Sequence, residues 1–309
     1  MSGPAAPSRW RARRAELEAA VGGVQLRAME RAVALAASLP AGEAPGQIAY
    51  RARPGRGGGV PIVGLHGFGG DKETWLLAAA LLPRARGVAL IDLPGHGRSA
   101  DVPEDRASIR HHAEATLRVL DRLGFDRAVI CGNSMGGGVA LRLATSWPDR
   151  VAGLVLVASV GRDVHDGARA WIGAHNPLIP READVERFMQ LVLERPPPVG
   201  RAVIRHVITQ RARRAEALER LFRGFVLAGG DAGVPHDLAA IGQPAIVIHG
   251  EQDRIIDPRT AEDLAGALPA AELIVMRGVG HAPQLEAPRQ TARIVERFAR
   301  RLDGGPDSQ

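Results

Sequence analysis

Ala128-Val129-Ile130-Cys131-Gly132-Asn133-Ser134-Met135-Gly136-Gly137 is the stretch on which the fold turns. Its first four residues are apolar without alternation, as in a strand covered on both faces, and residues 135–147 carry a helical pattern. Between them, Gly132-x-Ser134-x-Gly136 forms a nucleophile elbow. The glycines let the chain turn tightly from strand to helix and pack closely, which lifts the serine hydroxyl out of the fold. The N-terminus of the helix behind it favours developing negative charge, and the Met135 amide N–H faces the place where an oxyanion would form.

A serine hydroxyl at its ordinary pKa is a weak nucleophile, so Ser134 calls for a base and for an acid that orients it. On such an elbow they follow the serine in the order acid, then histidine. Of the ten histidines, His281 suits the base best, because Gly278-Val279-Gly280-His281-Ala282-Pro283 is a loop between the last strand and the last helix. His249 ends a strand with apolar neighbours and reads as packed. His111 and His112 stand on a helix among charges and read as solvent-facing, while His165, His175, His206 and His236 fall in or beside a helical insertion and can at most line a pocket. The acid is sought in Gly250-Glu251-Gln252-Asp253-Arg254-Ile255-Ile256-Asp257, after the penultimate strand. Asp253 is preferred there, three residues past the glycine. Glu251 and Asp257 compete, the latter as N-cap of a helix opening at Pro258. A second oxyanion donor is expected from His66-Gly67-Phe68-Gly69-Gly70, whose glycines free the Phe68 amide; His66 itself reads as a structural, hydrogen-bonding residue. Residues 92–99, Asp-Leu-Pro-Gly-His-Gly-Arg-Ser, form a tight loop.

Outward from the elbow, short apolar runs at 60–65, 88–93, 154–158, 245–248 and 273–276 alternate with helical patterns at 108–123, 258–268 and 288–302. That rhythm predicts an α/β fold with a mostly parallel sheet flanked by helices. It fails over residues 161–237, where helical patterns at 182–193 and 203–225 follow one another, and this segment is expected to be an inserted cap above the carboxyl ends of the strands. The core is then 47–160 and 238–302. Residues 1–46 form an N-terminal helical extension with an apolar stripe over 17–39 and a linker at 40–46; 303–309 read as a disordered tail.

The composition, with 45% hydrophobic and 24% charged residues in 309, is that of a soluble globular chain. The net charge of +6 is almost all arginine, scattered and mostly beside Asp or Glu. No aromatic platform is interleaved with the cluster at Arg211, Arg213 and Arg214, so nucleic acid is not an expected partner. A single cysteine, Cys131, excludes an intrachain disulfide and a Cys-based metal site. Residues 9–18 lack the apolar core of a signal peptide and no apolar run approaches ~20 residues, so a soluble, cytoplasmic protein is expected. No metal cluster, phosphate loop or dinucleotide fingerprint implies a cofactor.

Taken together, His66-Gly67, residues 92–99, 132–137 and 250–257, and Gly280-His281 resemble the α/β-hydrolase superfamily in order and spacing over nearly all of 47–302. Within it, Phe68-Gly69-Gly70-Asp71-Lys72, the Asn133 to Gly137 elbow, and Asn176-Pro177-Leu178 followed by a helix and Pro196-Pro197-Pro198 resemble bacterial lipases and esterases of the monoacylglycerol lipase type. The resemblance implies hydrolysis of carboxylic esters with short-to-medium acyl chains, monoacylglycerol-like lipids among them, through an acyl-enzyme on Ser134. Membrane-bound mammalian relatives carry an N-terminal anchor where this chain has an amphipathic extension; its apolar stripe is expected to pack on the hydrolase body or cap, with a homodimer contact and peripheral lipid contact as the alternatives. Carbon–carbon hydrolases of meta-cleavage products share Gly-Asn-Ser-Met-Gly-Gly and remain the alternative. The apolar cap residues Phe188, Met189, Phe222 and Phe225 suit an acyl chain better than a diacid. A non-enzymatic ligand-binding homologue is a second alternative, against which the filled triad positions argue.

Overall fold

The computed structural model describes residues 38–57, 59–161, 179, 181, 184–195, 205, 208–209, 211–227, 233–235 and 237–304. Its sheet comprises β1 (Ala41–Ala44), β2 (Ile48–Arg53), β3 (Ile62–Leu65), β4 (Val88–Ile91), β5 (Ala128–Asn133), β6 (Val151–Val157), β7 (Ala245–Gly250) and β8 (Ala271–Met276). The strand order is β1-β2-β4-β3-β5-β6-β7-β8. β2 is antiparallel to β1 and β4, and the other pairings are parallel. The runs without alternation in β3 to β7 are strands with both faces covered, every residue being buried, but the run at 273–276 in the edge strand β8 is not, for Leu273 and Val275 are 37% and 48% exposed.

The α-helices are α1 (Leu76–Ala79), α2 (Ile109–Leu123), α3 (Met135–Ser146), α4 (Val185–Val192), α5 (Ala215–Leu227), α6 (Arg259–Ala267), α7 (Pro283–Glu286) and α8 (Pro288–Leu302), with 3-10 turns at Lys72–Trp75, Glu104–Arg106 and Pro148–Arg150. Side chains of α2, α3 and α6 build one apolar layer against the sheet, and those of α1 and α8 build the other. The α8 stripe of Ala292, Val295, Phe298 and Ala299 is buried. Gly153 in β6 makes room for it, because a Cβ there would lie 2.8 Å from the Phe298 ring. Burial of that ring contributes about 1.5–3 kcal/mol. At its start α2 is capped by Ser108, whose hydroxyl accepts the His111 N–H, and at its end by Gly124 at φ 67°.

Three expectations need correcting. Residues 40–46 are not a linker, since β1 lies there and pairs with β2 along its whole length, so the sheet begins before residue 47. Neither strand is legible in the sequence, because Ala-Gly-Glu-Ala has no strand propensity and β2, Ile-Ala-Tyr-Arg-Ala-Arg, has alanine or arginine at four of its six positions. Asp303 is not part of a disordered tail: its carboxylate accepts the Val60 N–H and pairs with Arg86 at 2.7 Å. The pattern at 203–225 is not one helix, for the chain turns at Arg213-Arg214 and restarts at Ala215. The extension's stripe over 17–37, His165, His175, His206, His236, Asn176 to Leu178, Pro196 to Pro198 and 305–309 lie outside the described residues. Among the described residues no helix is long and apolar enough to cross a membrane.

Candidate active site

The chain runs from β3 outward to β4 and returns to the other side of β3 as β5, so the direction of winding reverses between β3 and β5. Loops at the carboxyl ends of these two strands flank a crevice in such a sheet. One of them is the His66 to Gly70 loop, the other is the elbow. Ser134 sits at φ 54° and ψ −119°, a left-handed conformation that costs a residue with a side chain of order 1–3 kcal/mol. Its surroundings hold it there. The Ser134 N–H donates to Val157 O at 3.0 Å, while its carbonyl accepts from the Gly137 and Val160 amides. The flanking glycines are required by contact, because a Cβ at Gly132 would meet Gly136 O at 2.2 Å and one at Gly136 would meet Leu65 O at 2.5 Å. Ser134 alone in 131–140 is not fully buried.

Asp253 and His281 come together because β7 and β8 are neighbours and the loops that follow them nearly touch: a Cβ at Gly250 would stand 2.1 Å from Gly280 O. The Asp253 Oδ2 lies 2.8 Å from His281 Nδ1, with both residues buried. A carboxylate offers only acceptors, so Nδ1 carries a proton towards it, and in the neutral ring Nε2 is the nitrogen with the free lone pair. The other carboxylate oxygen, Oδ1, accepts from the amides of Ile255 and Ile256 at 2.8 and 3.0 Å. Burial pushes this carboxyl up, but the His281 charge and the hydrogen bonds from His249, His281 and Ile256 outweigh it and hold Asp253 well below the usual carboxylate range. Glu251 and Asp257 are exposed. Asp257 instead accepts the Arg259 N–H at 2.9 Å at the mouth of α6.

Asn133, the elbow residue before the serine, joins these two halves. Its side-chain amide donates to Val157 O at 3.0 Å and to His281 O at 3.1 Å. His249 is packed as expected, at 0% exposure. Its Nε2 faces two acceptors, Ile256 O at 3.1 Å and Asp253 Oδ2 at 3.3 Å, so this nitrogen carries the proton and shares it between them. Sequence reasoning missed both roles. Only the position of Asn133 inside the motif and of His249 four residues before Asp253 pointed to them.

On the other side of Ser134, a Cβ at Gly67 would lie 3.1 Å from the Ser134 Cβ, so the loop bearing Phe68 passes next to the serine. His66 is structural, as expected: Nε2 accepts the Leu93 N–H at 3.0 Å and Nδ1 donates to Gly67 O at 2.8 Å. The chain's sole lysine, Lys72, secures the loop's far end through a buried 2.5 Å ion pair with Asp92. Phe68 packs edge-on against Phe222 and Phe225 of α5, with centroids 5.4 and 6.2 Å away. Phe188 and Met189 lie in a separate cluster with Val185, Leu193, Ile208 and Ala282, beside the His281 loop. His112 is not solvent-facing but wholly buried, with its ring against Phe225 and His96. Among the described residues no group of three or more His, Cys, Asp or Glu is placed to hold a metal.

The profile of the alpha/beta hydrolase family matches residues 62–294. Among curated proteins, the chain is 35% identical to the dihydrolipoyllysine-residue acetyltransferase component of the acetoin cleaving system of Pseudomonas putida, over 79% of this chain and 64% of that one. It is 32% identical to 2-hydroxymuconate semialdehyde hydrolase of Pseudomonas putida, over 80% of this chain and 90% of that one. It is 26% identical to monoacylglycerol lipase abhd6-B of Xenopus laevis, over 81% of this chain and 78% of that one. The chain thus spans under two thirds of the acetyltransferase component and most of the two hydrolases.

Proposed function

The chain belongs to the alpha/beta hydrolase family, and from that premise we propose that Ser134, His281 and Asp253 form a triad that hydrolyses carboxylic esters through an acyl-enzyme. The observation that carries the reading is the buried Asp253–His281 pair tied through Asn133 to a serine held in left-handed backbone. His281 Nε2 takes the Ser134 proton as Oγ attacks the ester carbonyl. The amides of Phe68 and Met135 receive the oxyanion, and the alcohol leaves with the proton from the imidazolium. Water then attacks the acyl carbonyl as His281 takes its proton, and the bond to Ser134 Oγ breaks as that proton passes to the serine oxygen, releasing the acid and restoring the neutral imidazole. The acyl chain is placed along Phe222 and Phe225, which adjoin Phe68, with Phe188 and Met189 next to the His281 loop; a short-to-medium chain of monoacylglycerol type fits this apolar wall.

The 2-hydroxymuconate semialdehyde hydrolase relative favours carbon–carbon cleavage as a second reading. Both readings use the serine, so the substrate must decide. A series of p-nitrophenyl esters of rising chain length, run beside monoacylglycerols and a meta-cleavage dienoate, is expected to favour the esters. Preference for the dienoate by more than about tenfold would shift the assignment. Ser134→Ala is expected to lower ester turnover by several orders of magnitude in a folded protein, and a serine-directed phosphonate to label Ser134 alone. Turnover should also fall in acid, since only a neutral imidazole can accept the serine proton.

A further inference from the structure

We propose that Glu286 is a positioning residue for the base: its carboxylate fastens the His281 loop to the cap, so that the cap and the triad are held as one unit. The proposal rests on His281 acting as the base. Glu286 closes α7, five residues beyond His281, and its two oxygens gather four backbone amides. Oε1 accepts from Gly280 at 3.0 Å and Ala282 at 3.4 Å, the residues on either side of His281. Oε2 accepts from Glu194 at 2.9 Å and Arg195 at 2.8 Å, just past the end of α4 in the cap. The amide between the first two, that of His281 itself, donates to the cap carbonyl of Val192 at 3.0 Å. Three successive amides of the base loop are therefore fixed, two by Glu286 and one by the cap.

This docking leaves no room for a side chain at residue 280. A Cβ at Gly280 would lie 2.9 Å from Glu194 N and 3.1 Å from both Val192 O and Glu286 Oε1. The acid loop is latched to the same helix end. Arg254, the neighbour of Asp253, donates to Gln190 O at 2.9 Å and pairs with the Glu194 carboxylate. A carboxylate suits the four-amide position because it is acceptor-only at both ends, and hydrogen bonds to an ionised acceptor are the stronger ones. A glutamine there would turn its NH₂ group on one pair of N–H donors and loosen either the base loop or the cap contact.

The test uses the full chain and p-nitrophenyl acetate, with the burst of p-nitrophenol counting competent sites. Turnover per titrated site is expected to fall in the order wild type, Glu286→Asp, Glu286→Gln. The glutamine variant should lose roughly 100-fold, the scale on which ångström misplacement acts, with KM within about threefold and melting close to wild type. The acid limb of kcat/KM should move with it, since the imidazole no longer sits in the same place against Asp253. A merely structural role would lower the number of titratable sites and leave both turnover per site and the acid limb unchanged, and that result overturns the proposal. Should Glu286→Gln not fold, Glu286→Asp decides alone: reduced turnover per site supports the proposal, wild-type turnover per site overturns it. A wild-type protein with no burst and no phosphonate label on Ser134 would instead overturn the proposed function and this inference with it. A wild-type burst beside an unaffected Glu286→Gln sinks the inference only.

Discussion

Ser134 pays for its place with backbone strain, and that gives it a signature beyond loss of activity. At φ 54° and ψ −119° glycine is at ease where serine is not. Ser134→Gly is therefore expected to abolish ester turnover while raising stability by about 1 kcal/mol, or roughly 2 °C in melting temperature. Ser134→Ala keeps a Cβ and with it the strain, so it should melt like the wild type. Equal melting of the glycine and alanine variants, measured by calorimetry, would show that the elbow stores no strain. The serine was legible because Gly-x-Ser-x-Gly is a local pattern whose steric reason lies within a few residues. Asp253 was legible by its offset from Gly250, and the structure separates it from its competitors by burial. The second hydrogen bond from His249 and the four-amide seat of Glu286 were not legible. Each joins loops that only the sheet order brings together.

At the scale of an element, α2 shows what periodicity reads and what it leaves out. Its extent is legible in the helical pattern over 108–123, but the charges beside His112 point to a wet face. Helix α5 reverses that, since its Phe225 lies over the His112 ring with centroids 4.9 Å apart. Neither ring nitrogen of His112 has a hydrogen-bond partner among the described residues. Burial, then the adjoining charges of His96, His111 and His66, hold this imidazole well below its ordinary value, and His96 is lowered in the same way by burial and by His66. For a histidine lowered in the folded state, the unfolded chain takes the proton first. The stability it leaves intact is fully present above the unfolded value of about 6.5 and is lost as pH falls below it, with a slope of up to ~1.4 kcal/mol per pH unit for each such group. His112→Leu removes both the orphaned N–H and one of these groups. It should raise stability by about 1 kcal/mol at neutral pH and flatten the decline between pH 7 and 5. Urea midpoints at several pH values check this; parallel slopes for the two proteins would refute it.

At the scale of the whole molecule, several arginines among the described residues serve the fold itself. Arg53 caps the carbonyls of Leu82, Pro83 and Arg86, Arg142 reaches Gly233 O, and Arg86 bridges Glu296 and Asp303. The class of the fold was legible at this scale because parallel strands and their helices alternate at a regular interval. The near end of the sheet was not, since β1 and β2 are antiparallel and carry little apolar sequence. That shift of the boundary changes what removal of the N-terminal extension should do. Leu39 is fully buried at 0% exposure in the layer of α1 and α8. Its carbonyl accepts from Arg51 at 3.2 Å, and Pro40 O accepts the Ala52 N–H at 3.0 Å. A truncation at residue 37 leaves all of this in place and lies far in sequence from the proposed triad, so it is expected to keep full turnover of a soluble short ester. A truncation at residue 46 removes Leu39 and β1 and exposes the edge of β2. Loss of the Leu39 side chain alone costs about 2–5 kcal/mol, so the longer truncation should melt well below the shorter or fail to fold. Ester assays and thermal melts on both proteins check the expectation. Lost turnover in a folded chain starting at residue 38 would refute it, whereas loss confined to dispersed lipid would assign the extension's apolar stripe to the lipid surface.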